Sequence, residues 1–144
     1  MDNDKYLDIR LRFIMSFLDT TVEKENREYF ERNILTTVDG LLHTGYFFRL
    51  FSDKTVVDEG EALDFIKNFD GIVGILWDNN IYNADMTAYP LFSSPTVTPK
   101  EFIDNIDKLP KVFYVFDEDF KWAYAFTDEI SDGKRYCIKT ENKD

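Results

Sequence analysis

The side chains with the most chemical capacity in this sequence are carboxylates. Four groups of them stand out: Asp78 with Asp85; Asp117, Glu118 and Asp119; Asp128, Glu129 and Asp132; and Asp58, Glu59 and Glu61. Carboxylates can bind metal ions, exchange protons in general acid–base catalysis, or form ion pairs with a basic molecule. Which of these chemistries is predicted depends on the residue types that accompany each group.

The first group lies in a stretch that begins like a calcium-binding loop. Residues 78–80 supply an Asp and two Asn, but Asn83 stands where that loop needs glycine and Tyr89 where it needs a bidentate glutamate. A zinc site of His and Cys ligands is excluded, because the chain has one His and one Cys. We therefore predict no metal and no cofactor. A Mg²⁺ site built from carboxylates alone stays an alternative.

Nucleophilic catalysis is not predicted either. His43 could pair with Asp39 or with Cys137, but no serine stands in a G-x-S-x-G pattern and the six glycines form no G-x-G phosphate loop. Cys137 lies at an alternate position of a predicted strand, which is typical of a buried, inert thiol. We predict that the protein is not an enzyme, and a carboxylate- or metal-dependent enzyme remains the alternative.

Negative charge is concentrated in the middle of the chain. The 144 residues carry 28 acidic and 17 basic side chains, a net charge of −11. Residues 50–132 hold 17 of the acids and 6 of the bases, and no basic residue stands between Lys67 and Lys100. Such a surface repels nucleic acid and anionic membranes and speeds encounter with a cationic protein. We predict a basic protein partner, with an acidic surface kept for solubility as the alternative.

A long irregular stretch, residues 79–96, is the second feature that predicts a partner. It combines Tyr82 and Tyr89 with several Asn residues, the rigid rings and adaptable hydrogen-bonding groups typical of binding loops. A loop that packs on its own aromatic residues is the alternative. The predicted partner-binding residues are Asp78, Tyr82, Asp85, Tyr89, Asp117, Glu118, Asp119, Asp128 and Glu129.

Apolar periodicity predicts the elements that position these residues. Spacings of three and four predict helices over residues 4–19 and 24–35, which would pack as an N-terminal helical hairpin. Capping signals predict two further helices, one after Asp58 and one that begins at Thr98-Pro99-Lys100-Glu101. Aromatic residues 46–51 and apolar residues 72–77 predict two strands.

The last third of the sequence predicts a meander. Three segments have apolar side chains either at alternate positions or in continuous runs: residues 111–116, 121–127 and 134–139. They are separated by the turn signals Asp117–Asp119 and Asp132-Gly133. The predicted fold class is α+β, a single domain over residues 1–144. The N-terminal helical hairpin would pack on a largely antiparallel sheet that ends in a three-stranded meander.

Residues 112–129, VFYVFDEDFKWAYAFTDE, resemble a hairpin of small acidic bacterial immunity proteins. Those proteins belong to polymorphic toxin and contact-dependent growth inhibition systems, and they share a hydrophobic strand, a short acidic turn, a strand with Trp and an acidic exit. The resemblance implies a protein that binds a cognate toxin domain, often a basic nuclease, and occludes its active site or substrate groove. A phosphate-mimicking inhibitor of another nucleic-acid enzyme, of the phage anti-defence type, is the alternative.

The sequence also predicts a cytoplasmic protein. The N-terminus is acidic and polar and lacks the basic and apolar regions of a secretory signal, and no apolar stretch is long enough to span a bilayer.

Overall fold

An antiparallel sheet forms the centre of the described part of the chain. The computed structural model describes residues 9, 12–13, 15–18, 48, 51–77 and 96–142. Its strands are β1 (Thr55–Asp58), β2 (Val73–Leu76), β3 (Thr96–Val97), β4 (Phe113–Asp117), β5 (Trp122–Ser131) and β6 (Lys134–Glu141). They are hydrogen-bonded in the order β1-β6-β5-β4-β2-β3, and every neighbouring pair is antiparallel. The α+β class and the antiparallel sheet are confirmed.

Two helices lie where the capping signals predict them. Helix α1 (Glu59–Lys67) begins after Asp58, whose side chain accepts a hydrogen bond from Glu61 N–H at 2.8 Å. Helix α2 (Pro99–Asn105) begins with a capping box, because the Thr98 hydroxyl accepts from Glu101 N–H and the Glu101 carboxylate accepts from Thr98 N–H. A 3₁₀ turn, Ile106–Lys108, continues α2 towards β4. No helix in the described ranges is long and apolar enough to cross a membrane.

The predicted meander is confirmed as β4, β5 and β6. At the β5–β6 turn Asp132 and Gly133 have φ angles of 54° and 76°. Two consecutive residues with positive φ form the type I′ turn that matches the twist of a hairpin, which explains the Asp-Gly pair. In β5 the side chains alternate, with Trp122 and Phe126 in one buried cluster and Ala123 in the other.

One face of the sheet is covered by α1 and α2. Ala62 and Ile66 of α1 and Phe102 of α2 are fully buried against it. The rings of Phe113 and Phe126 stack on neighbouring strands with centroids 4.7 Å apart. Burial of such rings contributes most of the energy that holds the layers together.

The opposite face is covered by the N-terminal residues that the structure describes. Residues 9, 12, 13 and 15–17 are helical. Phe13 and Phe17 are fully buried, and the ring of Phe13 lies 5.2 Å from the rings of both Tyr114 and Phe116. The whole of the predicted second helix, residues 24–35, lies outside the described residues, so the helical hairpin stays a prediction.

The prediction of a strand over residues 46–51 is contradicted where the structure describes these residues. Of these, the structure describes Phe48, which lies in a 3₁₀ turn, and Phe51, which forms an isolated bridge with Leu18. Both are buried, and Phe48 N–H donates to the Tyr114 hydroxyl at 3.2 Å. The aromatic residues at these positions therefore reflect packing onto the face of the sheet and not membership of it. The strand that pairs with β6 at one edge of the sheet is β1, which the sequence did not predict.

Candidate functional site

Four of the nine predicted partner-binding residues cannot be located. Asp78, Tyr82, Asp85 and Tyr89 lie outside the described residues, so their role stays a prediction. The chain leaves β2 at Trp77 and returns at Thr96, which pairs with Gly74.

Asp117, the first residue of the predicted acidic turn, faces the protein. Only 5% of its surface is exposed. Its Oδ1 accepts hydrogen bonds from Lys121 N–H at 2.7 Å and from Trp122 N–H at 3.0 Å. Asp117 thereby closes the connection between β4 and β5, which also contains Phe120 at a φ of 56°. The structure gives this carboxylate a structural role, and its contact with a partner stays a prediction.

The other two acids of the turn do face solvent. Glu118 and Asp119 form the tip of the β4–β5 connection and are exposed. The bonds that Asp117 accepts fix the backbone that carries them. The β4–β5 connection therefore presents two exposed carboxylates and not the three that the sequence predicts.

Asp128 and Glu129 lie in an irregular part of β5. The register with β6 shifts between Phe126 and Ile130, as in a β-bulge. The Thr127 hydroxyl donates to the Tyr136 carbonyl at 2.8 Å and accepts from Glu129 N–H at 3.2 Å, which holds the irregular segment in place. Both carboxylates are exposed, and Ile130 beside them is 70% exposed. Bulges commonly aim side chains away from the regular pleat.

The two exposed acidic pairs do not form one site. Glu118 and Asp119 precede β5, whereas Asp128 and Glu129 lie near its end. Residues 122 to 128 alone span roughly 20 Å of extended strand at about 3.3 Å per residue. A partner that touches both pairs must therefore cover the length of the β4–β5–β6 meander.

A cleft beside β1 was missed by the sequence analysis. It has a volume of about 240 Å³ and is lined by Asp53, Thr55, Val57, Glu61, Lys139, Thr140 and Glu141. Lys139 Nζ lies 3.2 Å from Glu141 Oε1, so one of its three carboxylates is paired with the lysine that lines it. No local pattern identifies this site, because it exists only where β1 pairs with β6, about eighty residues later in the chain.

Two buried titratable groups of the sheet, Cys137 and Tyr124, have raised pKa values. Burial raises the pKa of the Cys137 thiol from 9.0 to about 12, and the nearby Glu59 carboxylate acts in the same direction. Burial likewise raises the pKa of Tyr124 to about 12, and Glu61 adds to the effect. Cys137 therefore stays a thiol near neutral pH, where only a thiolate would be nucleophilic. His43, the residue with which this thiol could pair, lies outside the described residues.

The described carboxylates do not gather into a metal centre. Within the described ranges, no three His, Cys, Asp or Glu side chains are grouped so that they could hold a metal ion. What the geometry offers is ionic and hydrogen-bonding contact with another molecule. No known protein family, curated protein or solved structure matches the chain. The function must therefore be argued from its own surface.

Proposed function

We propose that this protein is an immunity-type inhibitor that binds a basic toxin domain, a nuclease in the first instance, and occludes its active site or substrate groove. Acidic side chains would occupy the positions where the toxin binds phosphates. The contacts would come from the exposed pairs Glu118/Asp119 and Asp128/Glu129, and from Asp78, Tyr82, Asp85 and Tyr89.

The observation that carries the proposal is the acidic excess of residues 50–132, 17 acids against 6 bases. Four of these acids are exposed on a turn and a bulge. Hydrogen bonds from backbone N–H groups to the side chains of Asp117 and Thr127 hold that turn and that bulge in place. Because the backbone that carries these carboxylates is held in place, binding a cationic partner costs less backbone conformational freedom. A surface kept acidic for solubility alone has no need of fixed positions.

Two finer features belong to the same proposal. In this proposal residues 4–19 and 24–35 would form a helical hairpin over one face of the sheet, and the helical, buried positions Phe13 and Phe17 support its first helix. The protein acts in the cytoplasm, where a nuclease toxin that has entered the cell would meet nucleic acid.

The test is capture of the partner from a lysate of the native cell. The tagged chain is incubated at about 50 mM salt, and bound proteins are eluted at about 500 mM salt, where ionic contacts between exposed groups are screened. We expect a basic protein in stoichiometric amount whose enzymatic activity is lost when the chain is added back. Failure to capture a basic protein, or a captured protein whose activity is unchanged, contradicts the proposal.

Matched variants separate the position of charge from its amount. We compare Glu118→Gln/Asp119→Asn and Asp128→Asn/Glu129→Gln with the control Asp64→Asn/Asp107→Asn, which removes the same charge from exposed positions on α1 and the 3₁₀ turn. At least one test variant should slow association several-fold more than the control. Equal slowing in all three would mean that net charge alone attracts the partner. Stoichiometric binding of Mg²⁺ or Mn²⁺ in a calorimetric titration would favour the metal-dependent enzyme instead.

A further inference from the structure

Strand β1 is an edge strand with accessible surface. It pairs with β6 on one side, and no described residue pairs with its other side. Thr55, Val56 and Asp58 are exposed, with Val56 at 64%. Edge strands carry unpaired backbone N–H and C=O groups, and proteins commonly block them with Lys, Pro or a bulge. Within β1 there is no Lys or Pro, and its register with β6 is regular over all four pairs.

The cleft described above opens beside this edge. Thr55 and Val57 line it together with Glu61 of α1 and Lys139 of β6. A strand added to β1 would send every second side chain to that same side of the sheet. Small-molecule pockets commonly measure about 300–1,000 Å³. The cleft, at about 240 Å³, matches one long side chain better than a separate ligand.

The charge of the cleft indicates which side chain it would accept. Three carboxylates and one ammonium group line it. The ammonium group, Lys139, pairs with Glu141, and the Glu61 carboxylate has no ion-pair partner among the described residues. A partner's Lys or Arg entering here would bring the cation that Glu61 lacks. Arg is the better match, because its planar guanidinium can bond a carboxylate through two N–H groups.

We propose that β1 accepts an extended segment of a basic partner as a seventh strand, with an Arg or Lys of that segment in the cleft beside Glu61. This inference rests on the proposed function and adds the place and mode of contact. Main-chain hydrogen bonds along the edge would supply affinity, and the cleft would supply specificity. A second copy of this chain is a poorer occupant, because each copy carries a net charge of −11.

The probe for this site is an acetylated peptide of about eight residues, alternating Thr and Val with one central Arg. Its control replaces Arg with citrulline, which keeps the shape and removes the charge. A second control carries N-methyl groups on the backbone edge that would face β1. Binding is measured by titration calorimetry, and hydrogen exchange reports protection of the amides of Thr55–Asp58.

We expect the Arg peptide to protect the β1 amides and to bind roughly threefold to fivefold more tightly than the citrulline peptide, as for a partly exposed ion pair. Glu61→Gln should abolish that difference, whereas the control Asp107→Asn should preserve it. Val56→Lys should weaken binding, while Val56→Thr should not. Val56 is exposed, so both variants are expected to fold, which unfolding midpoints verify.

Several results would overturn the proposal for β1. These are no binding of the Arg peptide at millimolar concentration, equal binding of the N-methylated peptide, or a dimer of the chain formed through β1. A captured basic partner whose affinity is unchanged by Val56→Lys and Glu61→Gln would overturn it too, and would leave the proposed function standing. Peptide binding at β1 without any basic partner in the lysate would support the edge site and contradict the proposed function.

Discussion

Asp117 is the residue whose substitution best separates structure from recognition in the acidic turn. Both hydrogen bonds that its side chain accepts reach the same atom, Oδ1, from Lys121 N–H at 2.7 Å and Trp122 N–H at 3.0 Å. Asp117→Ala leaves both donors without this acceptor. A hydrogen bond to a charged group contributes about 1.5–3 kcal/mol, and the partly exposed Lys121 N–H can bond to water instead. We therefore expect Asp117→Ala to lower the free energy of unfolding by about 3 kcal/mol.

Two kinds of control test this reasoning. Asp117→Asn retains an Oδ1 that can accept both bonds, so its cost should be about 1 kcal/mol, for the loss of charge alone. Glu118→Ala and Asp119→Ala remove exposed carboxylates that cap nothing, and each should change stability by less than about 0.5 kcal/mol. The order of stability among the variants therefore depends on the acceptor atom and not on the number of charges.

The assay is equilibrium unfolding in urea, followed by circular dichroism and by tryptophan fluorescence. At a slope of about 2 kcal/mol per M, a loss of 3 kcal/mol lowers the midpoint by roughly 1.5 M. A shift of less than about 0.5 M for Asp117→Ala would refute the structural role assigned to this carboxylate. An equal shift for Asp117→Asn and Asp117→Ala would show that charge, and not the acceptor atom, stabilises the turn.

Three further substitutions or conditions test the packing of the sheet. Gly74→Ala should destabilise the protein by about 1–3 kcal/mol in the same assay, because an added Cβ would lie 2.4 Å from the Phe116 ring. Adding Phe116→Leu to the Gly74→Ala variant should recover part of the lost stability. Thr140→Val should raise stability by about 1 kcal/mol, since the Thr140 hydroxyl is buried and has no hydrogen-bond partner among the residues that the structure describes. Unchanged or lower stability would contradict this. The raised pKa values of Cys137 and Tyr124 mean that the folded state holds their protons more tightly than the unfolded state. The contribution of these two protonated groups to the free energy of unfolding is therefore complete below pH 9.0 and is lost as the pH rises through about 12. An unfolding midpoint that stays constant over that pH range would contradict the raised pKa values.

The meander could be predicted from sequence because each of its signals is local. The alternation of Trp122, Tyr124 and Phe126 with small residues marks two faces, and Asp132-Gly133 marks a hairpin turn. The start of α2 could be predicted from sequence for the same reason, since its capping box lies within Thr98–Glu101. In each case the residues that determine the structure lie within about ten positions of one another.

Strand β1 could not be predicted in this way. Its four residues have no local partner, and their pairing with β6 depends on the completed sheet. Asp58 ends β1 and also caps α1, so its capping signal was recognised and the strand before it was not. The cleft beside Glu61 could not be predicted for the same reason, because its lining residues come together only when β1 pairs with β6.

The acidic turn, Asp117–Asp119, shows a different reason why a sequence pattern can mispredict exposure. The sequence shows three consecutive acids, and repulsion among them favours exposure of all three. Asp117 is nevertheless buried, because two backbone N–H groups provide what water would otherwise supply. Whether a carboxylate binds a partner or its own backbone is decided by the geometry of the turn, which composition does not specify.

The way in which the sheet is covered limits where the proposed partner could bind. In the described part of the chain, both faces of the central strands are buried, one under α1 and α2 and the other under Phe13, Phe17 and their neighbours. A partner therefore cannot bind across a face of β4 or β5 without displacing packed aromatic residues, at a cost of several kcal/mol for each large ring. Within the described ranges, accessible groups lie at the turns, at the β5 bulge and along β1, as well as on the outward faces of α1 and α2. The proposed recognition at the turns, the bulge and β1 would keep the core intact, because the charges lie outside while the aromatic residues stay buried.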